Sequence, residues 1–274
     1  SRRNFIKNLT GTTLALGAGS LASFAAQEKS EARILHYQKH FSSNDKIKVA
    51  AIGMGIMGNN NANAALHVPG VELVAVCDLY TGRLERAKEL HGKDLFVTND
   101  YRKILARKDI DAVIISTCDQ WHARITKDAL KAGKHVYCEK PMVHDITEGQ
   151  AVIDAQKKSK VVFQVGSQGM SSLGNEKAKQ LLKEGAIGTL NYAEAFYARM
   201  SPEGAWQYHI PDDASPATVG WDAYIANTTK RPFDKLRFFR WRNYRDYGTG
   251  VSGDLFVHVF SSLHFITGSI GPNK

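Results

Sequence analysis

An α/β fold with a parallel sheet is predicted for this 274-residue chain by three observations. From Lys46 to about Gly166, apolar strand-like runs alternate with amphipathic helical stretches, the pattern of βαβ units. The first such run ends in three glycines, Gly53, Gly55 and Gly58. The second ends in an acid, Asp78, 20 residues after Gly58. The length allows one large or two ordinary domains, and a 43% hydrophobic content is enough to build a core.

In chain order, the N-terminus comes first. "SRRNFIK", Ser1 to Lys7, resembles a twin-arginine export signal. A run of small and apolar residues follows it, with a candidate cleavage site at "SFA" ending at Ala25. Residues 1–26 are therefore expected to be a signal that sends the protein to the periplasm. The run is too rich in Gly, Ser and Thr for a stable membrane span, which needs ~20 strongly apolar residues. Residues 27–44 are polar and read as a linker. His36 and His40 would share a helix face, but no third ligand or HExxH pattern accompanies them, so no metal site is expected.

Residues 45–166 read as a dinucleotide-binding domain. "KIKVAAIGMGIMGNN" is a strand becoming buried, followed by G-x-G-x-x-G. Gly53 permits the tight turn, Gly55 lets backbone approach a pyrophosphate, and Gly58 lets the next helix pack closely. That helix, opening at Ile56 and Met57, offers unpaired N–H groups to phosphate. Strand "VELVAVCD" then brings Asp78 to the ribose hydroxyls, where a carboxylate favours NAD and disfavours NADP. Arg83, five residues on, works against that preference. Helix "ERAKELHG", strand "DAVIISTCD", helix "ARITKDALKAGK" and strand "HVYCEKP" continue the alternation.

"EKP" places Glu139 and Lys140 at a strand end, on the same sheet edge as the glycine loop. A lysine there can polarise a hydroxyl or carbonyl near a nicotinamide. In "GTGVSGDLFVHVFSSLHFITG", Asp254 and His258 are four apart and share a helix face, beside an apolar stripe of Val251, Leu255, Val259 and Leu263. A lysine, an acid and a histidine together suit proton transfer that accompanies hydride transfer.

Between these segments, "GMSSLGNEKAKQLLKEGAIG" reads as a helix ending near Gly188, and "TLNYAEAFYARM" as an alternating strand. The Pro- and Gly-punctuated stretch that follows carries Trp206, Tyr208, Trp221 and Trp241. Stacking on a sugar ring and packing at an interface both account for these aromatics.

Taken together, Gly53, Gly55 and Gly58, Asp78, "WHARITKDALKAGKHVYCEKPM" and "GDLFVH" closely resemble the Gfo/Idh/MocA oxidoreductases. The likeness runs from about Lys46 to the last residue. It implies an N-terminal Rossmann domain followed by an α+β domain, residues 167–274, with an open, mainly antiparallel sheet that holds a sugar or polyol. It also implies Lys140 as catalytic lysine, His258 as acid/base, and Asp254 orienting substrate. Thr117 and His122 match the cofactor-side loop, and Glu139 the ribose–nicotinamide region. Two departures stand out: "VGSQGMSS" replaces an arginine common after the sixth strand, and the second domain is expected to be incomplete. An oligomer formed through the sheet domain is expected.

The net charge of +9 is read as a solvated surface, because no basic-aromatic module accompanies it, and no nucleic acid is expected. Cys77, Cys118 and Cys138 lie in apolar runs without CxxC spacing and read as buried thiols. An exported NAD enzyme meets no assured nucleotide pool. The expected activity is therefore redox-neutral oxidation and reduction of a sugar, polyol or glycoside hydroxyl with tightly bound cofactor. The alternatives are glycoside cleavage through transient oxidation, and a non-catalytic cofactor- or sugar-binding scaffold.

Overall fold

A computed structural model of the chain describes residues 46–197, 202–269 and 271. The export signal, the linker and the His36–His40 pair lie outside the described residues.

The chain enters the sheet at β1 (Ile47–Ile52) and turns through the glycine loop into α1 (Ile56–Leu66). Next come β2 (Val71–Cys77), α2 (Thr81–His91), β3 (Phe96–Thr98) and α3 (Tyr101–Leu105). β4 (Ala112–Ile115), α4 (His122–Lys131), β5 (His135–Glu139), α5 (Gly149–Lys158) and β6 (Phe163–Gly166) complete the sheet. All six strands are parallel, in the order β3-β2-β1-β4-β5-β6. This order reverses between β1 and β4, so the crevice outside their carboxyl ends is where a ligand belongs.

Alternation along β1 divides the core. Ala50 and Ile52 face a layer with Val113, Ile115, Ile125 and Leu130, while Ala51 faces Ala62, Val76 and Ala87. Both faces are buried, as a parallel sheet requires. The short β3 and α3 break the expected single helix between strands. Asp100 caps α3, its carboxylate accepting from the Arg102 N–H at 3.0 Å.

After β6 the chain forms α6 (Leu173–Lys183), α7 (Trp221–Tyr224) and α8 (Lys235–Phe239). A π-helical segment, Ser252–Phe256, then runs into α9 (Val257–Thr267). α6 stops short of the expected Gly188, because Gly185 takes φ +76°, a left-handed conformation that ends the helix. The strand expected over "TLNYAEAFYARM" is absent: residues 189–197 have no regular structure. A strand needs a ladder partner, and among the described residues the sheet ends at β6. The open antiparallel sheet is thus not found among the described residues; one isolated antiparallel bridge joins Tyr80 and Val219.

Residues 202–250 instead lie on the loops at the carboxyl ends of the strands. The Gly220 N–H donates to the Leu79 carbonyl at 2.7 Å, and Thr81 N–H to Thr218 O at 3.0 Å. The Trp121 indole donates to Tyr224 O at 3.0 Å and the Asn227 amide to Gln120 O at 2.6 Å. Both the N–H and the hydroxyl of Thr249 donate to the buried Asp119 carboxylate, at 3.0 and 2.8 Å. Tyr80, Trp221, Tyr224, Phe238, Phe239 and Tyr247 fill the space between as one aromatic cluster.

Candidate functional site

The glycine loop forms one wall of a cavity of about 930 Å³ that runs along the strand ends. Gly53 adopts φ +90°, and a Cβ there would lie 2.6 Å from the Ser116 carbonyl oxygen. At Gly58 a Cβ would overlap the carbonyl of Gly53, so α1 packs on the turn only through glycine. Gly58 therefore sets the packing, while Gly53, Gly55, Ile56 and Met57 line the cavity. Gly55 is the N-cap of α1, whose first turn holds no acid, so the free N–H end of the helix is open to an anion.

Asp78 is buried and fixes the loop: its Oδ2 accepts from Met54 N–H at 2.7 Å and its Oδ1 from Tyr80 N–H at 2.9 Å. Thr117 lines the cavity with a buried hydroxyl that has no hydrogen-bond partner. An orphaned donor there fits a ligand that accepts from it. His122 stands behind the wall. Its Nδ1 lies 2.6 Å from Pro141 O and its Nε2 3.1 Å from Thr117 O. Burial pulls its pKa down, but the nearby Cys138 and Asp119 and the Pro141 carbonyl outweigh that, and it is pushed up to about 10. His122 thus shapes the loop rather than facing the cavity. Glu139 lines the cavity and is held by the Asn61 amide at 2.9 Å and the Gln168 amide at 2.6 Å. Gln168 lies in the "VGSQGMSS" stretch, the departure from the family pattern noted in the sequence.

At the far end, Lys140 Nζ donates to Asp254 Oδ1 at 2.9 Å and to the Asp254 backbone carbonyl at 2.8 Å. Two further residues complete this group, Arg242, which has no role in the sequence reading, and Trp206, which is read there as a stacking or interface aromatic. Arg242 Nε donates to the same Oδ1 at 3.0 Å, and the Trp206 indole donates to Oδ2 at 2.8 Å. Burial pulls the Asp254 pKa up, but Arg242 and Lys140 outweigh it and hold the carboxyl below its ordinary range. Trp206 sits at φ +59°, rare for a bulky residue, and it is buried. Its indole therefore clamps the Asp254 carboxylate. Trp221 donates to Arg231 O within the aromatic cluster, whereas Tyr208 and Trp241 line the cavity.

His258 lines the cavity with Asp254 and Lys140. Burial, then the Lys140 charge, lowers its pKa, so the imidazole is held neutral and able to accept a proton. Among the described residues no cluster of His, Cys, Asp and Glu forms a metal site, and no helix is long and apolar enough to cross a membrane.

One end of the cavity thus has the parts that hold a dinucleotide, and the other a lysine, a carboxylate and a neutral histidine. Residues 47–167 match the GFO_IDH_MocA family, described as "Oxidoreductase family, NAD-binding Rossmann fold". The inositol 2-dehydrogenase of Salmonella typhimurium (strain LT2) is 34% identical over 144 residues, 52% of this chain and 43% of that protein. A glycosyl hydrolase family 109 protein of Shewanella baltica (strain OS185) is 30% identical over 238 residues, 81% of this chain and 50% of the relative. An NAD-binding protein from Listeria innocua shares the fold, with a TM-score of 0.58 over 81% of this chain and 55% of its own, at 23% identity. The chain spans half or less of the length of these curated relatives. By its glycine loop, its parallel sheet and this match, the segment 47–167 has an NAD(P)-binding Rossmann fold similar to that of the Gfo/Idh/MocA oxidoreductases.

Proposed function

We propose that this protein oxidises a hydroxyl of a sugar, polyol or glycoside and returns the hydride within the same cycle, so that the net reaction is redox-neutral. The observation that carries this reading is the convergence of Lys140, Asp254 and His258 on the cavity that begins at the glycine loop. A bound nicotinamide dinucleotide supplies the hydride acceptor; Gly53, Gly55, Ile56, Met57, Gly58, Asp78, Thr117, Glu139 and Lys140 would hold it, with His122 behind them. The Lys140 ammonium hydrogen-bonds and polarises the substrate oxygen, and the neutral His258 takes the hydroxyl proton as the C–H hydride leaves. Asp254, clamped by Arg242 and Trp206, orients Lys140 and a neighbouring hydroxyl. The names of the inositol dehydrogenase and glycosyl hydrolase relatives support a carbohydrate substrate. The export-like residues 1–26 support a periplasmic protein that keeps its cofactor.

A second reading is favoured by one observation: similarity to the family 109 relative extends over 238 residues, against 144 for the inositol dehydrogenase. In that version the new ring carbonyl acidifies the adjacent C–H and a base removes that proton. The glycosidic C–O bond then breaks with protonation of the leaving group, water adds, and the returned hydride restores the hydroxyl.

The test is to purify the protein without added nucleotide, denature it, and quantify NAD(H) and NADP(H) per chain. The same preparation is assayed on paired sugars and on chromogenic glycosides. About one nucleotide per chain, with turnover in the absence of added NAD, is expected. Protein that turns over only with stoichiometric external NAD sinks the redox-neutral cycle.

A further inference from the structure

The adenosine end of the cavity carries a feature that the Asp78 rule alone would misjudge. Asp78 lines the cavity but is already engaged by backbone. Its side chain is 5% exposed, and both of its oxygens accept backbone N–H groups. The Arg83 guanidinium lies over it at 33% exposure, with Nη1 3.4 Å from Oδ1 and 3.5 Å from Oδ2. That is longer than the roughly 2.7–2.9 Å of a tight charge-assisted bond, so much of the donor fork is uncommitted. Among the described residues, Asp78 is the one carboxylate paired with Arg83.

Arg83 is also held in place from the other side. Its Cζ sits 5.6 Å from the Phe239 ring centroid and 5.9 Å from that of Phe238, within cation–π range. Those rings are themselves buried, and Phe239 packs edge-on against Tyr80 at 5.2 Å. The guanidinium reaches the glycine loop as well: Nη2 lies 4.0 Å from where a Cβ on Gly55 would be. A preorganised, partly exposed cation therefore stands between the loop that receives the pyrophosphate and the acid that marks the ribose.

We propose that Arg83 is the specificity-determining residue of this site and that it receives a 2′-phosphate, so that the protein binds NADP within about tenfold of NAD. The planar fork matches phosphate bidentately, and its charge offsets the repulsion from the buried Asp78. The inference rests on the reading of this cavity as a dinucleotide site.

The test is calorimetric titration of nucleotide-stripped protein with NAD and NADP, and with the fragments 2′,5′-ADP and 5′-ADP. For the unmodified chain, a ratio of Kd(NADP) to Kd(NAD) below about 10 is expected, with 2′,5′-ADP binding in a salt-dependent way. Arg83→Gln should raise that ratio by about tenfold or more, and Arg83→Lys, which keeps the charge but loses the fork, should fall between. An unchanged ratio in Arg83→Gln, or a ratio above about 100 in the unmodified chain, overturns the proposal while leaving NAD binding as evidence of the site. Folded protein that binds neither nucleotide removes the dinucleotide reading itself, and the proposal with it.

Discussion

Lys140 touches both the carboxylate and the backbone carbonyl of Asp254, so its ammonium is fixed from two directions at the cavity end. Replacing it by methionine keeps the bulk and removes the cation that, in the proposed mechanism, polarises the reacting oxygen. Single-turnover kinetics on Lys140→Met should show the oxidation step slowed by about 10²–10⁴-fold. His258 supplies a pH signature. Its folded pKa is held below the ordinary 6.5 by burial and by Lys140, so it is neutral at pH 7 and protonates only as pH falls below 6.5. In that window the unfolded chain binds more protons than the folded one, so stability also declines as the pH drops. The profile of kcat/KM should bend down below pH 6.5, and the residual activity of His258→Asn should lack that limb. An identical profile in the variant removes His258 from proton transfer. At this scale the glycines, Asp78, Glu139, Lys140, Asp254 and His258 were legible, because their spacing ties each to a strand end or a helix face. Arg242 was not: it is one of four arginines in "RFFRWRNYRDYG", and only the fold selects which one turns back to Asp254. Trp206 was visible as an aromatic residue, but its donor role depends on a left-handed backbone that no pattern announces.

The glycine-loop element is governed by one contact. Because a Cβ on Gly58 would overlap the Gly53 carbonyl, Gly58→Ala must push α1 off the sheet. A destabilisation of about 1–3 kcal/mol is expected from such overpacking, read by urea denaturation, together with weakened nucleotide binding. Unchanged stability would mean that the loop relaxes freely and that Gly58 is not a packing constraint. On the covering segment, Thr249→Val keeps shape and removes the hydroxyl donated to Asp119. Loss of a hydrogen bond to a buried carboxylate costs about 1.5–3 kcal/mol, and bound nucleotide should leave about tenfold faster in stopped-flow displacement. An unaltered release rate would show that this anchor does not gate exit. The parallel strands were legible as elements, since buried runs between helical stretches have few alternatives. The helix end at Gly185 and the unpaired 189–197 stretch were not, because an alternating pattern states a strand's faces and says nothing of its ladder partner.

At the scale of the described chain, the Rossmann half and the segment 202–250 meet through hydrogen bonds and a shared aromatic cluster, with one isolated bridge in place of a shared sheet. Residues 202–250 rest on Leu79, Thr81, Asp119, Gln120 and Trp121, loops that the strands of the Rossmann half present. Periodicity cannot register that arrangement, since the contacts join irregular segments far apart in sequence. It has a consequence for the order of events in turnover. In the proposed redox-neutral cycle, with segment 202–250 lying across the strand ends as a roof, the first carbohydrate would enter, give up its hydride and depart as product before the second takes its place. Initial rates with two carbohydrates varied against each other should therefore give parallel double-reciprocal lines, the pattern of a shuttling enzyme form. Intersecting lines would mean that both occupy the chamber at once, and the roof would then be a door.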